Sequence, residues 1–75
     1  MTIRVNWNQG KAPGLIRAHQ ILNPQPKECQ FEDMKGDFKD FISVALAEAE
    51  MKESNYKKYK HCSYCWDGKI IDPIP

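Results

Sequence analysis

DFKDFISVALAEAEMKESNYKKYK, running from Asp37 to Lys60, is the stretch whose reading decides the fold. Within it Phe38, Phe41, Ile42, Ala45, Leu46, Ala49 and Tyr56 follow one another at steps of three, four and seven, the spacing of one stripe along an α-helix. The spacing predicts one long amphipathic helix over about 37–60. Gly36 breaks whatever precedes it, Asp37 can cap the free amides, and Asp40 adds negative charge to the first turn. Lys57, Lys58 and Lys60 suit the carbonyl end, and Glu48–Lys52 and Glu53–Lys57 are acid-before-base pairs one turn apart. Ser43 and Val44 are mild exceptions among strong helix formers, and fraying is expected near Asn55. On this reading Phe41, Ile42 and Leu46 form the core together with Trp7.

Upstream, Thr2 to Asn8 alternates Ile3, Val5 and Trp7 with Arg4, Asn6 and Asn8, the period of a half-buried strand. Gly10, Pro13 and Gly14 then punctuate a loop. Leu15 to Leu22 fits either an alternating strand or a helical stripe; a strand pairing with the first is favoured, and Pro13 could equally open a short helix. Asn23-Pro24-Gln25-Pro26 excludes a continuing helix and makes a stiff, extended connector. Cys29, Phe31 and Met34 form a short apolar approach with room for a single turn. Beyond Lys60, the Asp67-Gly68 pair signals a turn between Tyr64-Cys65-Trp66 and Lys69-Ile70-Ile71, and Pro73 and Pro75 mark an edge or a tail. The expectation is an α+β fold in a single small domain over 1–75: an N-terminal strand or hairpin, the long helix, and a C-terminal knuckle with a short strand.

Three cysteines are an odd number, which disfavours a complete disulfide set and an oxidising compartment. Cys62-Ser63-Tyr64-Cys65 has the two-residue gap that lets both sulfurs reach one metal, because a tight turn aims the side chains and neighbouring amides inward. The segment 61–73 resembles the second knuckle of small bacterial zinc-ribbon domains, which end in a Cys-x-Tyr-Cys-aromatic pattern followed by a glycine and an extended segment; Cys62, Tyr64, Cys65, Trp66, Gly68 and Pro73 sit in comparable places. Such families carry a first cysteine pair, whereas only Cys29 stands upstream here. A four-ligand zinc site therefore needs Cys29, Cys62 and Cys65 with His61, or alternatively His19, a Cys3His set that is chemically acceptable though irregular in spacing. The competing reading makes all three thiols small packing residues. Redox chemistry is disfavoured because this Cys-x-x-Cys follows a helix instead of opening one. His19 alone reads as a packing or surface residue.

Net charge is +1, but unevenly laid out: residues 1–30 carry four bases against one acid, 31–50 two against six, and 51–75 five against three. The acidic middle argues against a histone-like binder. Gly10-Lys11 lacks the glycine spacing of a phosphate loop, and no run of about 18 apolar residues or signal-peptide core is present, so a cytoplasmic protein with no membrane role is expected. No serine, histidine and acid combination or paired carboxylates of recognisable spacing point to catalysis. A small non-enzymatic interaction or regulatory protein, of bacterial or phage accessory type and binding another protein, is the leading expectation. The alternative is a zinc-stabilised nucleic-acid binder using the basic, aromatic segment 56–66, with Tyr56, Lys57, Lys58, Tyr59 and Lys60 as its surface.

Overall fold

The structure, a computed structural model, describes residues 2–7, 15–30 and 36–75. Five strands form one mixed sheet in the order β3-β1-β2-β4-β5, covered on one face by one helix. The strands are β1 (Thr2–Asn6), β2 (Ile16–Ile21), β3 (Phe38–Phe41), β4 (Tyr59–His61) and β5 (Ile70–Ile71); the helix α1 is Val44–Glu53. The α+β expectation holds, and β2 pairs antiparallel with β1 as a strand, Val5 opposite Ala18. The loop expected at 9–14 and the turn expected at Phe31 and Met34 lie outside the described residues.

The long helix over 37–60 is corrected to ten residues flanked by strands. Phe38 and Phe41 fit a helical stripe and FKDF does not alternate, yet β1 has a free edge to offer it, and the resulting strand puts Phe41 opposite Ile3 on the helix side and Phe38 opposite Asn6 on the other. Arg4 lies opposite Asp40 in that pairing and donates to it twice, Nε to Oδ1 at 2.7 Å and a terminal nitrogen to Oδ2 at 2.9 Å. A long-range bidentate pair of this kind is invisible to local periodicity. Asp37, expected to cap the helix, instead accepts the Trp7 amide through its backbone carbonyl at 2.8 Å.

Both true helix ends are capped by residues that helix propensity marks as weak. Ser43 is the N-cap, its hydroxyl accepting from the Leu46 amide at 3.2 Å. At the other end Asn55 takes a left-handed φ of 66°, the Asn55 amide donates to Lys52 O at 3.0 Å, and the Tyr56 amide donates to Met51 O at 2.9 Å. That pair of bonds is a Schellman cap, with asparagine in the place glycine usually takes.

Shortening the helix rewrites the core. Ile3, Val5, Ile16, Ala18, Ala47, Met51, Tyr59 and Ile74 are buried together, with Trp7 and Phe41 packed at the margin. Ile42 and Leu46, expected inside, are 81% and 50% exposed. The reason is angular: α1 faces the sheet through Ala47 and Met51, four residues apart, which turns Leu46 and Ala49 outward. The tail is also held, since the Ile74 amide donates to Lys57 O at 2.9 Å and its side chain enters the core.

The sheet's two faces do separate work. Ile3, Val5, Ile16, Ala18, Tyr59 and His61 share the helix side by register, whereas Arg4, Arg17, His19 and Lys60 point to the other. The turn at Asp67-Gly68 forms, with Gly68 at φ 72° and the Lys69 amide donating to Asp67 Oδ1 at 3.0 Å. The strand that follows it, however, pairs antiparallel with β4, not with Tyr64-Cys65-Trp66. Those residues belong to the knuckle between β4 and β5.

Candidate metal centre

On the face away from α1, two separate segments bring three sulfurs to one histidine on a third. β2 carries His19, a 3-10 turn (Lys27–Cys29) after the proline connector carries Cys29, and the knuckle after β4 carries Cys62 and Cys65. The parallel pairing of β2 with β4 sets the meeting: Ala18 lies opposite His61, and the Cys62 amide donates to Ala18 O at 2.9 Å, extending the ladder by one residue. Cys62 thus comes beside His19, both on the same face. The 3-10 turn, closed by the Cys29 amide on Pro26 O at 2.9 Å, brings the third sulfur over them. Gln25 ties the connector to the end of β2, accepting from the Leu22 amide at 2.6 Å and donating to Gln20 O at 3.1 Å.

The four donor atoms all lie within 4.8 Å of one another, and all four residues are buried. His19 Nδ1 stands 3.8 Å from Cys29 Sγ and 3.6 Å from Cys65 Sγ, and Cys29 Sγ is 3.3 Å from Cys62 Sγ. A tetrahedral zinc with bonds of about 2.3 Å to sulfur and about 2.0 Å to nitrogen sets its donors about 3.5 to 3.8 Å apart. The two distances from His19 Nδ1 match that spacing, and the Cys29–Cys62 separation of 3.3 Å is slightly shorter.

Electrostatics point the same way. Burial, aided by the charges of Arg17 and Arg4, lowers the His19 pKa to about 4, so the imidazole is neutral at pH 7, the form that coordinates metal. Burial pushes the Cys29 and Cys65 thiols up; Cys62 and Cys65 add to it at Cys29, whereas at Cys65 the Gln20 backbone and Cys29 oppose it and Cys62 adds to it. Burial opposes ionisation of Cys62 as well, but the amides of Cys65 and Tyr64 and the adjoining thiols outweigh it and lower its pKa. The Tyr64 amide reaches Cys62 Sγ at 3.4 Å. Amides aimed at sulfur favour the Cys62 thiolate, and a cation held among the four donors would favour the thiolate form of the other two as well.

His61, the expected fourth ligand, is elsewhere. It faces the helix side, with Nδ1 2.8 Å from Asp67 Oδ1, Nε2 3.2 Å from the Tyr59 hydroxyl, and its ring stacked on Trp66 at 3.7 Å. The Tyr59 hydroxyl donates in turn to Glu48 Oε2 at 2.8 Å. This chain of contacts, from α1 through β4 to Asp67, braces the knuckle that presents Cys62 and Cys65. His19, not His61, joins the three sulfurs because residues 61 and 62 of a strand point to opposite faces.

The segment Tyr56, Lys57, Lys58, Tyr59, Lys60 does not present one surface. Tyr59 is in the core at 1% exposure, Tyr56 packs on Trp7 with ring centroids 5.7 Å apart, and of the five only Lys57 and Lys58 are exposed. Among the described residues no helix is long and apolar enough to cross a membrane. Comparison of the chain with known protein families, with curated proteins and with solved structures found no match.

Proposed function

We propose that this chain is a small zinc-stabilised interaction domain, not an enzyme, in which Cys29, Cys62, Cys65 and His19 hold one structural zinc and the outer side of α1 meets a protein partner. The observation that carries the metal reading is the convergence of four buried donor atoms within 4.8 Å. Three thiolates with one imidazole select a soft or borderline cation, and zinc is the common intracellular one. Four protein donors fill a tetrahedron, leaving no position for a water or a substrate, which is the mark of a structural ion. Such an ion supplies folding free energy that a chain of 75 residues gains only in part from apolar burial. Three free cysteines fit a reducing compartment.

The partner reading is supported by the apolar stripe of the central stretch, which faces outward: Ile42 at 81% and Leu46 at 50% exposure, together with exposed Ala45 and Ala49. An amphipathic helix that keeps apolar residues outside suits a groove on another protein. Metal analysis of the purified chain tests the proposal. One zinc per chain, and a tetrahedral cobalt spectrum with thiolate charge-transfer bands after exchange, are expected. Metal-free protein whose three thiols react at once in the native state would sink it.

A further inference from the structure

The open face of the sheet holds a second feature. The strand register lines up one residue from each strand in a single row, Phe38, Asn6, Arg17, Lys60 and Ile70. At about 4.8 Å per strand the row spans about 19 Å. Arg17 and Lys60 are cross-strand neighbours of like charge at its centre, an arrangement that by itself destabilises a sheet. One pleat away on the same face, Arg4 is neutralised by Asp40, whereas among the described residues no ion pair engages Arg17 or Lys60. Arg17 is exposed, Ile70 beside Lys60 is 53% exposed, and Tyr64, on the knuckle that closes over this face, is 61% exposed. The helix layer carries acids instead, Glu48, Glu50 and Glu53 against Lys52.

From this juxtaposition we infer that the open face binds single-stranded nucleic acid, with Arg17 and Lys60 on successive phosphates and Ile70 and Tyr64 against the bases. A cation pair alone would attract any anion; cations set among apolar and aromatic surface on a flat sheet suit a strand whose bases are unpaired. A duplex would need an element that enters a groove, and the described face has none. The surface differs from the segment 56–66 considered from sequence, of which it keeps Lys60, Tyr64 and the neighbouring knuckle but not the inward Tyr56 and Tyr59. It stands apart from the identity of the metal and from what covers Ile42 and Leu46.

Fluorescence anisotropy of labelled oligo(dT) and oligo(U) with the metal-loaded full chain provides the test. Binding should weaken steeply with salt, and R17Q/K60Q should lower affinity at least about tenfold and flatten the salt slope by about 1.4, two contacts at about 0.7 each. Y64A should weaken binding and leave the slope unchanged. K52Q, on the helix layer, should bind as the parent does. R17Q alone, at the exposed position, should give half the slope change, which keeps the test decisive if the double variant unfolds. No binding by the parent at low salt, parent-like binding by R17Q, or binding to heparin without binding to either oligonucleotide would overturn the inference. Zinc content measured on the same samples separates this outcome from failure of the metal reading.

Discussion

Cys29 Sγ and Cys62 Sγ lie 3.3 Å apart although 33 positions separate them in the chain. One is delivered by a 3-10 turn after a proline connector and the other by a knuckle after the fourth strand, so the contact closes the intervening 33 positions, which include β3, α1 and β4, into one loop. Shared ligation of these sulfurs would therefore act as a clasp between the turn that follows β2 and the knuckle that follows β4. Loop closure costs entropy that grows slowly with length, and a clasp across a long loop offsets more of it than one across a short loop. The core and the cysteine cluster lie on opposite faces of the same sheet, which makes their contributions separable by mutation.

The first separation concerns the helix. Met51 is fully buried while Leu46 is half exposed, so Met51→Ala should cost about 2 to 5 kcal/mol and Leu46→Ala less than about 1. Urea unfolding of both variants at fixed zinc checks this. A larger loss for Leu46→Ala would return the central stripe to the core and remove the exposed surface on which the partner reading stands.

The helix ends offer a second check. Ser43→Ala removes an acceptor for the Leu46 amide and should cost about 1 kcal/mol. At Asn55, whose φ is 66°, glycine should be neutral or mildly stabilising and valine clearly destabilising, because a β-branched side chain is strained in the left-handed region. Equal melting temperatures for the glycine and valine variants would mean that α1 does not end in this cap.

These residues also show what was legible in the sequence. The alternation of β1 is strict enough to read directly, because one buried face imposes a period of two, whereas β2 fitted a strand and a helical stripe alike, and its burial does not alternate because His19 is covered on the other face. Phe38 and Phe41 read as helix, since a spacing of three suits a helical stripe, and in β3 the same spacing puts them on opposite faces. Ser43 and Asn55 carried the boundary signal, but they read as weak helix formers until recognised as caps. The three cysteines were identifiable as a set. The choice of His19 over His61 was not, because it depends on the parallel register of β2 and β4, which no local pattern encodes.

Acid titration isolates the pair that fastens β3 to β1. The hydrogen bonds from Arg4 hold the Asp40 carboxyl below its ordinary value of 3.8. A carboxyl depressed in the folded state contributes its full stability above its unfolded value and loses it as pH falls through the folded one. The pair is partly exposed, its side chains at 29% and 45%, so screening holds its contribution to about 0.5 kcal/mol. Asp40→Asn should thus be slightly less stable than the parent at neutral pH, and the gap should close below pH 3.8. Denaturant midpoints for the two proteins across that range, at equal metal load, would expose a pH-independent gap if the pair contributes nothing electrostatic.

The last prediction distinguishes the two histidines. His19 Nδ1 faces Cys29 and Cys65 at 3.8 and 3.6 Å, whereas His61 is engaged by Asp67 and Tyr59 on the opposite face. If His19 is a ligand, His19→Ala should weaken metal binding by about tenfold or more and change the cobalt spectrum, because a protein donor is replaced by water or lost. His61→Phe keeps a ring for stacking on Trp66 but removes two hydrogen bonds, so it should lower the melting temperature while leaving the cobalt spectrum tetrahedral. Cys62→Ser should act like excess chelator in the parent, because a closed site that loses one thiolate no longer completes the tetrahedron. The decisive comparison is cobalt titration followed by absorption, read beside thermal unfolding. A spectrum altered by His61→Phe and untouched by His19→Ala would reverse the assignment and require the knuckle to turn its strand over.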